Sequence, residues 1–263
     1  MTSLKGKKVW ITGASGGLGQ AIAEVCARRG ASLVLIARSE EKLKKTASRC
    51  MTIGAGQAAV YPFDLRKTSE VPDFVNHVLE AEGSVDVLVN NAGFGLFETL
   101  EKTDEDVIKG MFDVNVLSLI LMSRGVLPAM ERQGSGHIVN IASQAGKIAT
   151  PKSTIYAATK HAVLGFSNSL RMETADRGIL VTTVNPGPID TNFFDSAEPS
   201  GNYASKVKKW MLSPQKVAEK TVDSFFTGTR EINLPGWMNA ASRVYALAPG
   251  AVERIGKKGF NQK

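Results

Sequence analysis

Thr12-Gly13-Ala14-Ser15-Gly16-Gly17-Leu18-Gly19 is the stretch that decides the fold. It lies where an apolar run over residues 7–12 gives way to a helical pattern over 17–29 that turns Ile22, Val25 and Cys26 inward. A glycine at position 13 permits a tight turn after the strand. Glycines at 17 and 19 let the backbone approach a pyrophosphate and let the helix pack on the strand. The helix N-terminus then offers free N–H groups and partial positive charge to the phosphates. The chain holds 25 glycines, so this spacing alone says little, and a plain Gly-rich turn is the competing reading. The position between a first strand and a first helix is what favours phosphate binding. Ser15, Gly16 and Leu18 join Gly13, Gly17 and Gly19 as candidate cofactor contacts.

Outward from this loop, apolar runs of strand length recur at 32–37, 58–63, 85–90, 137–142 and 180–185. Helical patterns lie between them at 40–51, 71–82, 105–132 and 155–177. Near-continuous apolar strands are buried on both faces, and their alternation with helices implies right-handed βαβ units. The expectation is an α/β fold of Rossmann type, a doubly wound parallel sheet in a three-layer αβα arrangement, forming one domain over 1–263. Two parts break the rhythm. From Pro186 to about Ser205 the chain is polar and marked by Pro and Gly, yet carries Phe193, Phe194 and Tyr203; a loop this long is usually functional or mobile. After Leu234, Trp237, Met238, Val244, Tyr245, Leu247, Val252 and Ile255 mix with Arg243, Arg254, Lys257 and Lys258, which predicts one or two amphipathic helices in 236–263.

Composition sets the class. The chain of 263 residues is 43% hydrophobic and 22% charged, ordinary for a globular protein, and is long enough to bury a core without staples. Its cysteines, Cys26 and Cys50, form no C-x-x-C pair. This argues against a disulfide framework and fits a reducing compartment, with Cys26 a buried filler. Residues 1–8 show no apolar signal region, and no stretch reads as long and apolar enough to cross a membrane, so a cytoplasmic protein is expected. Net charge is +7, with the basic residues dispersed apart from small groups at 206–209 and 254–263. Nucleic-acid binding calls for a denser stripe interleaved with aromatics. His77, His137 and His161 have no ligand spacing, and no metal is expected.

Arg38 ends the second strand in Ile36-Ala37-Arg38-Ser39, with no acid before Glu40. An NAD-binding unit usually carries an acid here for the ribose 2′-hydroxyl, whereas an arginine pairs with a 2′-phosphate. NADP(H) is therefore favoured over NAD(H), with Ser39 as a neighbouring contact; a surface arginine at a strand end is the competing reading. Asp64-Leu65 closes the third strand, where an acid can bond the adenine amine or simply cap a turn. Asn91, Ala92 and Gly93 follow the fourth strand beside the topological switch point, where ligands bind in such sheets. Tyr156 and Lys160 stand four apart on one helix face. A phenol of pKa about 10 exchanges protons poorly near neutrality, and an adjacent ammonium lowers it by roughly 1–3 units. That spacing is common by chance. Ser143, at the end of the 137–142 strand, opens on the same crevice and strengthens the reading.

In order and spacing, the Gly-loop, Asn-Asn-Ala-Gly, Ser143, Tyr156-x-x-x-Lys160 and Pro186-Gly187 resemble the short-chain dehydrogenase/reductase family, in particular its short, single-domain, NADP-preferring members. The resemblance runs from about Lys7 to Asn233. It implies reversible hydride transfer between NADP(H) and a hydrophobic carbonyl or alcohol. Tyr156 would be the general acid/base, Ser143 would bond the substrate oxygen, and Lys160 would stabilise the tyrosinate and hold the ribose hydroxyls. Asn115, in Asp113-Val114-Asn115-Val116, would hold a water linking Lys160 to solvent. Pro186, Gly187, Ile189 and Thr191 fall on the nicotinamide-contacting segment and 187–212 on the substrate lid. The helices of Asn115 and Tyr156 fall on the interface of a homodimer or homotetramer. One departure concerns the cofactor: many relatives carry a second basic residue in the Gly-loop, where this chain has the uncharged Ala14 and Ser15, leaving a 2′-phosphate mainly to Arg38. The tail is expected to lie near the substrate entrance, covering its own domain, making a subunit contact or making a weak lipid-surface contact.

Overall fold

The computed structural model describes residues 3–198 and 202–260, the side chains at 202–204 and 255–260 excepted. The expectations placed on the side chains of Tyr203, Ile255, Lys257 and Lys258 lie outside the described residues. In chain order the elements are β1 (Lys8–Thr12), α1 (Gly17–Arg28), β2 (Ser32–Ala37), α2 (Glu40–Thr52), β3 (Gln57–Pro62), α3 (Val71–Glu82), β4 (Val87–Asn90), α4 (Glu105–Phe112), α5 (Ser118–Gln133), β5 (Gly136–Ile141), α6 (Thr154–Glu173), β6 (Ile179–Pro186), α7 (Phe193–Ala197), α8 (Asn202–Val207), α9 (Pro214–Asp223), β7 (Glu231–Leu234), α10 (Gly236–Leu247) and α11 (Pro249–Phe260). The seven strands form one sheet in the order β3-β2-β1-β4-β5-β6-β7, every pair parallel.

Strand side chains alternate between two cores. Val9, Ile11, Leu33, Leu35, Val87 and Val89 meet α1, α2 and α9 through Ile22, Val25, Cys26, Leu43, Cys50 and Val222. Trp10, Val34, Ile36, Leu88 and Ile138 meet α3 and α5 through Val75, Val78, Met122, Val126 and Met130. A strand apolar at every position therefore needs a helix layer on each side, which makes this a single Rossmann-type α/β domain. Chain direction across the sheet reverses between β1 and β4, and the crevice at their carboxyl ends is where the site forms.

Several expectations change. The 105–132 pattern is continuously helical, but α4 and α5 are separated within it by a π-helical turn, Asp113–Leu117. Contrary to the reading that no stretch could cross a membrane, Glu105–Gln133 passes by length and composition, with a mean hydropathy of 1.4. Here that hydrophobicity goes into Met122, Val126 and Met130 against the sheet, so it is a core-covering pair of helices. The long loop after Pro186 contains α7 and α8, and the tail forms two helices. Strand β7 and helix α9 were not anticipated. At four half-buried residues on the sheet edge, β7 has no apolar run to announce it.

Candidate active site

The Gly-loop is built by close approach. Gly13 has φ +67°, and a Cβ there would sit 2.8 Å from Asn91 Nδ2 and 3.0 Å from Ala92 Cα. A Cβ at Gly19 would collide with the Gly13 carbonyl oxygen, so α1 can pack on the loop only with glycine there. Gly17 (φ +54°) would meet Thr191 Cγ2 at 3.4 Å, which brings the segment after β6 against the start of α1. Gly16 at the N-cap of α1 has no side chain to bond the first-turn N–H groups, leaving them for a ligand. Ser15 and Gly16 are partly exposed here, whereas Leu18 points into the core and can offer only backbone.

Thr12 and Asn91 tie the ends of β1 and β4 together. Asn91 N and Ala92 N both donate to Thr12 Oγ1 at 3.0 Å, and Asn91 Nδ2 donates to Thr12 O at 3.0 Å. The Asn91 side chain thus builds the crevice floor. Arg38 is exposed at the end of β2 and has no hydrogen bond or ion pair among the described residues. Ser39 beside it caps α2 by accepting from Lys42 N at 3.4 Å. The nearest acid, Glu40, is engaged by Lys44 at 2.6 Å. Asp64 accepts from Arg66 N at 3.0 Å, the turn-capping geometry, and Leu65 is core.

Ser143, Tyr156 and Lys160 converge where β5 ends and α6 begins. The Ser143 hydroxyl donates to Pro186 O at 3.4 Å and accepts from Ala145 N at 3.0 Å, and it sits close enough to the Tyr156 phenol to lower its pKa. Lys160 is buried, its Nζ donating to Ile141 O at 2.9 Å and lying 5.7 Å from the Tyr156 ring centre. Burial outweighs this and pushes the phenol up to about 12, and it pulls the ammonium down to about 8. The expected lowering of the phenol by its neighbour is therefore not the governing effect. Desolvation disfavours both charged forms, and Lys160 spends a proton on a backbone carbonyl. At neutral pH the phenol holds its proton and can give it to an acceptor.

Asn115 sits in the π-helical turn with 1% exposure, an irregularity frequent at functional sites. Its Oδ1 accepts from Phe94 N at 3.0 Å, and its Nδ2 donates to Phe94 O at 2.8 Å and Thr159 Oγ1 at 3.1 Å. A Cβ on Gly93 would lie 3.0 Å from Asn115 Oδ1 and 3.6 Å from Lys160 Nζ, so these three residues form one buried corner. Below it runs a polar chain: Asn90 Nδ2 donates to Ser123 Oγ and Asn140 Oδ1, and Asn140 Nδ2 to Ser167 Oγ, all within 3.0 Å.

Pro186 and Gly187 continue β6, Gly187 N donating to Leu234 O at 2.6 Å. Residues 188–190 pair with Leu212 through Leu212 N to Pro188 O and Asp190 N to Leu212 O, which closes the 187–212 segment into a loop with Ile189 at its base. Phe193 lies 5.7 Å from the Tyr156 ring and Phe97 6.0 Å, with Phe194 beside both phenylalanines. A Cβ on Gly95 would stand 2.9 Å from Tyr156 Cδ2 and 3.0 Å from Phe193 Cζ. Phe94, Gly95, Phe97 and Thr159 escaped the sequence reading; only their closeness to Asn-Asn-Ala-Gly and to Tyr156 could have flagged them.

The family model described as short chain dehydrogenase matches residues 7–201. The chain belongs to the short-chain dehydrogenase family. Among relatives of this short-chain dehydrogenase, the dehydrogenase/reductase SDR family protein 7-like of Drosophila melanogaster is 37% identical over 224 residues, covering 82% of this chain and 69% of that one. Solved structures are similar to this chain as well, among them two in complex with a nicotinamide dinucleotide. A short-chain dehydrogenase/reductase from Burkholderia phymatum, in complex with NAD, superposes with TM-score 0.85 at 26% identity, over 95% of this chain and 96% of that one. An alcohol dehydrogenase from the archaeon Thermococcus sibiricus, complexed with 5-hydroxy-NADP, gives TM-score 0.76 at 30% identity over 87% and 95%. Family membership makes the chain an oxidoreductase of this class.

Proposed function

We propose that this short-chain dehydrogenase is an NADP(H)-dependent enzyme that interconverts a hydrophobic carbonyl compound and its alcohol, with Tyr156 as general acid/base. The observation that carries the proposal is the convergence of Ser143, Tyr156 and Lys160 where β5 ends and α6 begins, with the buried Lys160 Nζ 5.7 Å from the Tyr156 ring centre. The residues present fit a nicotinamide dinucleotide: the loop admits no Cβ at Gly13 or Gly19, the N-terminus of α1 is uncapped by any side chain, and Arg38 has no ion pair at the strand end among the described residues. The solved relatives in complex with NAD and with 5-hydroxy-NADP support that class. When bound, the nicotinamide supplies or accepts the hydride.

The chain's own residues divide the rest. Backbone N–H groups of the Gly-loop would hold the pyrophosphate and Arg38 the 2′-phosphate. Asn91, Ala92, Gly93, Ile189 and Thr191 would line the remainder of the dinucleotide site. Ser143 and Tyr156 orient the substrate oxygen, and the protonated phenol delivers its proton to that oxygen in reduction. Lys160, beside Asn115 and Gly93, stabilises the tyrosinate left behind. Segment 187–212 acts as the lid, its Phe193 and Phe194 with Phe97 making the walls around Tyr156 apolar and excluding water. Exposed Leu117 on the π-helical turn and Met172 on α6 fit a homodimer face on these helices, and two buried free thiols suit a cytoplasmic setting. The test is NADPH oxidation against a panel of apolar ketones, aldehydes and quinones. Turnover that vanishes in Tyr156→Phe supports the reading; NADPH binding without turnover on any of them would favour a nucleotide-sensing protein instead.

A further inference from the structure

Helix α10 is built inside out for a surface helix. Its inward side carries Met238, the buried Ser242 and Tyr245, whose hydroxyl donates to Glu253 at 2.9 Å. Its solvent side carries Trp237, Val244 and Leu247, which are 57%, 55% and 88% exposed. At helical spacing these three, with Ala240 and Ala248, share one face. Trp210, 58% exposed, extends the patch from the 187–212 segment, its ring 6.1 Å from that of Trp237. Between them lies a cavity of about 330 Å³, lined by Pro188, Val207, Trp210, Trp237 and Met238. Met238 Sδ lies 2.7 Å from where Gly187 would carry a Cβ, and α10 packs on the Gln144–Gly146 turn that follows Ser143.

Charge names the occupant. The basic residues are spread along the chain, but the excess is not: residues 202–263 hold eleven Lys and Arg against four Asp and Glu, so the whole net charge of +7 sits there. No acid occurs between Glu231 and Glu253. Lys208, Lys209, Arg243 and Arg254 are exposed and have no ion pair among the described residues. We infer that α10 and the Lys208–Trp210 turn dock reversibly on an anionic lipid surface, placing the mouth of the site at the bilayer. An apolar stripe and a basic cluster are the two signals that such attachment takes, and tryptophan favours the lipid–water boundary. A second copy of the chain is disfavoured as the partner, because pairing this face with itself would oppose two cationic rims.

The inference does not rest on the role of Tyr156, and Tyr156→Phe should bind vesicles like the parent. The experiment is sedimentation of the full chain with vesicles of phosphatidylcholine, alone or with about 30 mol% phosphatidylglycerol. Binding should be at least about tenfold tighter to the anionic vesicles and fall about as much in roughly 0.5 M salt. Trp10 is fully buried, so a blue shift of tryptophan emission on binding would report Trp210 and Trp237, the other two tryptophans of the chain. Leu247→Glu and, separately, Lys208→Glu with Lys209→Glu should each weaken anionic binding about tenfold while leaving melting unchanged. Equal binding to both vesicle types, or no binding by the parent, would overturn the inference. So would a drop in particle mass by light scattering for Leu247→Glu without loss of vesicle binding, which would make the face a subunit contact.

Discussion

Two regions of this short-chain dehydrogenase invert the usual distribution of side chains, in opposite senses. Around the carboxyl ends of β4 and β5, polar groups are buried: Asn90, Asn115, Asn140 and Lys160 are all under 5% exposed. On α10 and the turn before α9, large apolar groups face solvent. Buried polar groups and exposed apolar patches are the informative exceptions to core and surface composition. The first region is costly and rigid: the side-chain N–H groups of Asn90, Asn115, Asn140 and Lys160 are committed to neighbours, while Asn90 Oδ1 is buried without a partner among the described residues. The second costs the fold almost nothing, because α10 buries little beyond Ser242. Chemistry that needs a fixed proton donor sits in the first, and contact with something outside the chain suits the second.

The sharpest way to break this contrast is Tyr156→Phe. The ring keeps its place against Phe193 and Phe97, so only the proton donor is lost. We expect kcat to fall by about 10²–10⁴-fold with NADPH affinity within a few-fold of the parent, measured by turnover and by fluorescence titration. Near-normal turnover would remove Tyr156 from the chemistry.

Arg38→Asp tests the cofactor end of the same region. Losing a charge-assisted contact and adding repulsion should cost NADPH about 1.5–3 kcal/mol relative to NADH, roughly 10–150-fold in the ratio of kcat/KM values. An unchanged ratio would make Arg38 an ordinary surface residue.

Lys160→Met separates stability from function. The lysine has its pKa lowered by burial to about 8, from 10.5 for the free side chain. Below pH 8 both folded and unfolded chains carry the proton and the full penalty of the buried ammonium applies. It fades as pH rises from 8 to 10.5, where the unfolded chain still binds a proton that the folded one has released. The penalty is about 3 kcal/mol, offset by about 1 kcal/mol for the hydrogen bond to Ile141 O. The variant should therefore be inactive yet melt higher than the parent at pH 7, the advantage disappearing by about pH 10.5. A lower melting temperature at pH 7 would show that the ammonium is a net structural asset.

Leu247→Glu gives the smallest effect and sets the other end of the comparison. With the side chain 88% exposed, unfolding free energy should change by less than about 0.5 kcal/mol in urea titrations. A larger loss would mean that the stripe on α10 is holding the domain together.

Local signals carried the sequence reading a long way. A glycine needed for a left-handed turn or a close approach is written at its own position, as at Gly13 and Gly19. A run such as Ser32–Ala37, apolar throughout, declares a strand covered on both faces, and Tyr156 and Lys160 share a helix face by spacing alone. The handedness of βαβ units fixes on which face of the sheet each helix lies. Tertiary structure decided what depends on groups distant in the chain. It set the π-helical turn that buries Asn115 against Phe94 and Thr159, the edge strand β7, and the meeting of Phe97 with Phe193 over Tyr156. It also decided the direction in which Tyr156 and Lys160 are shifted, because a pKa answers to burial, which no spacing records. The face of α10 belongs here too: an amphipathic pattern fixes that a helix has two sides, and only packing decides which of them is turned to solvent.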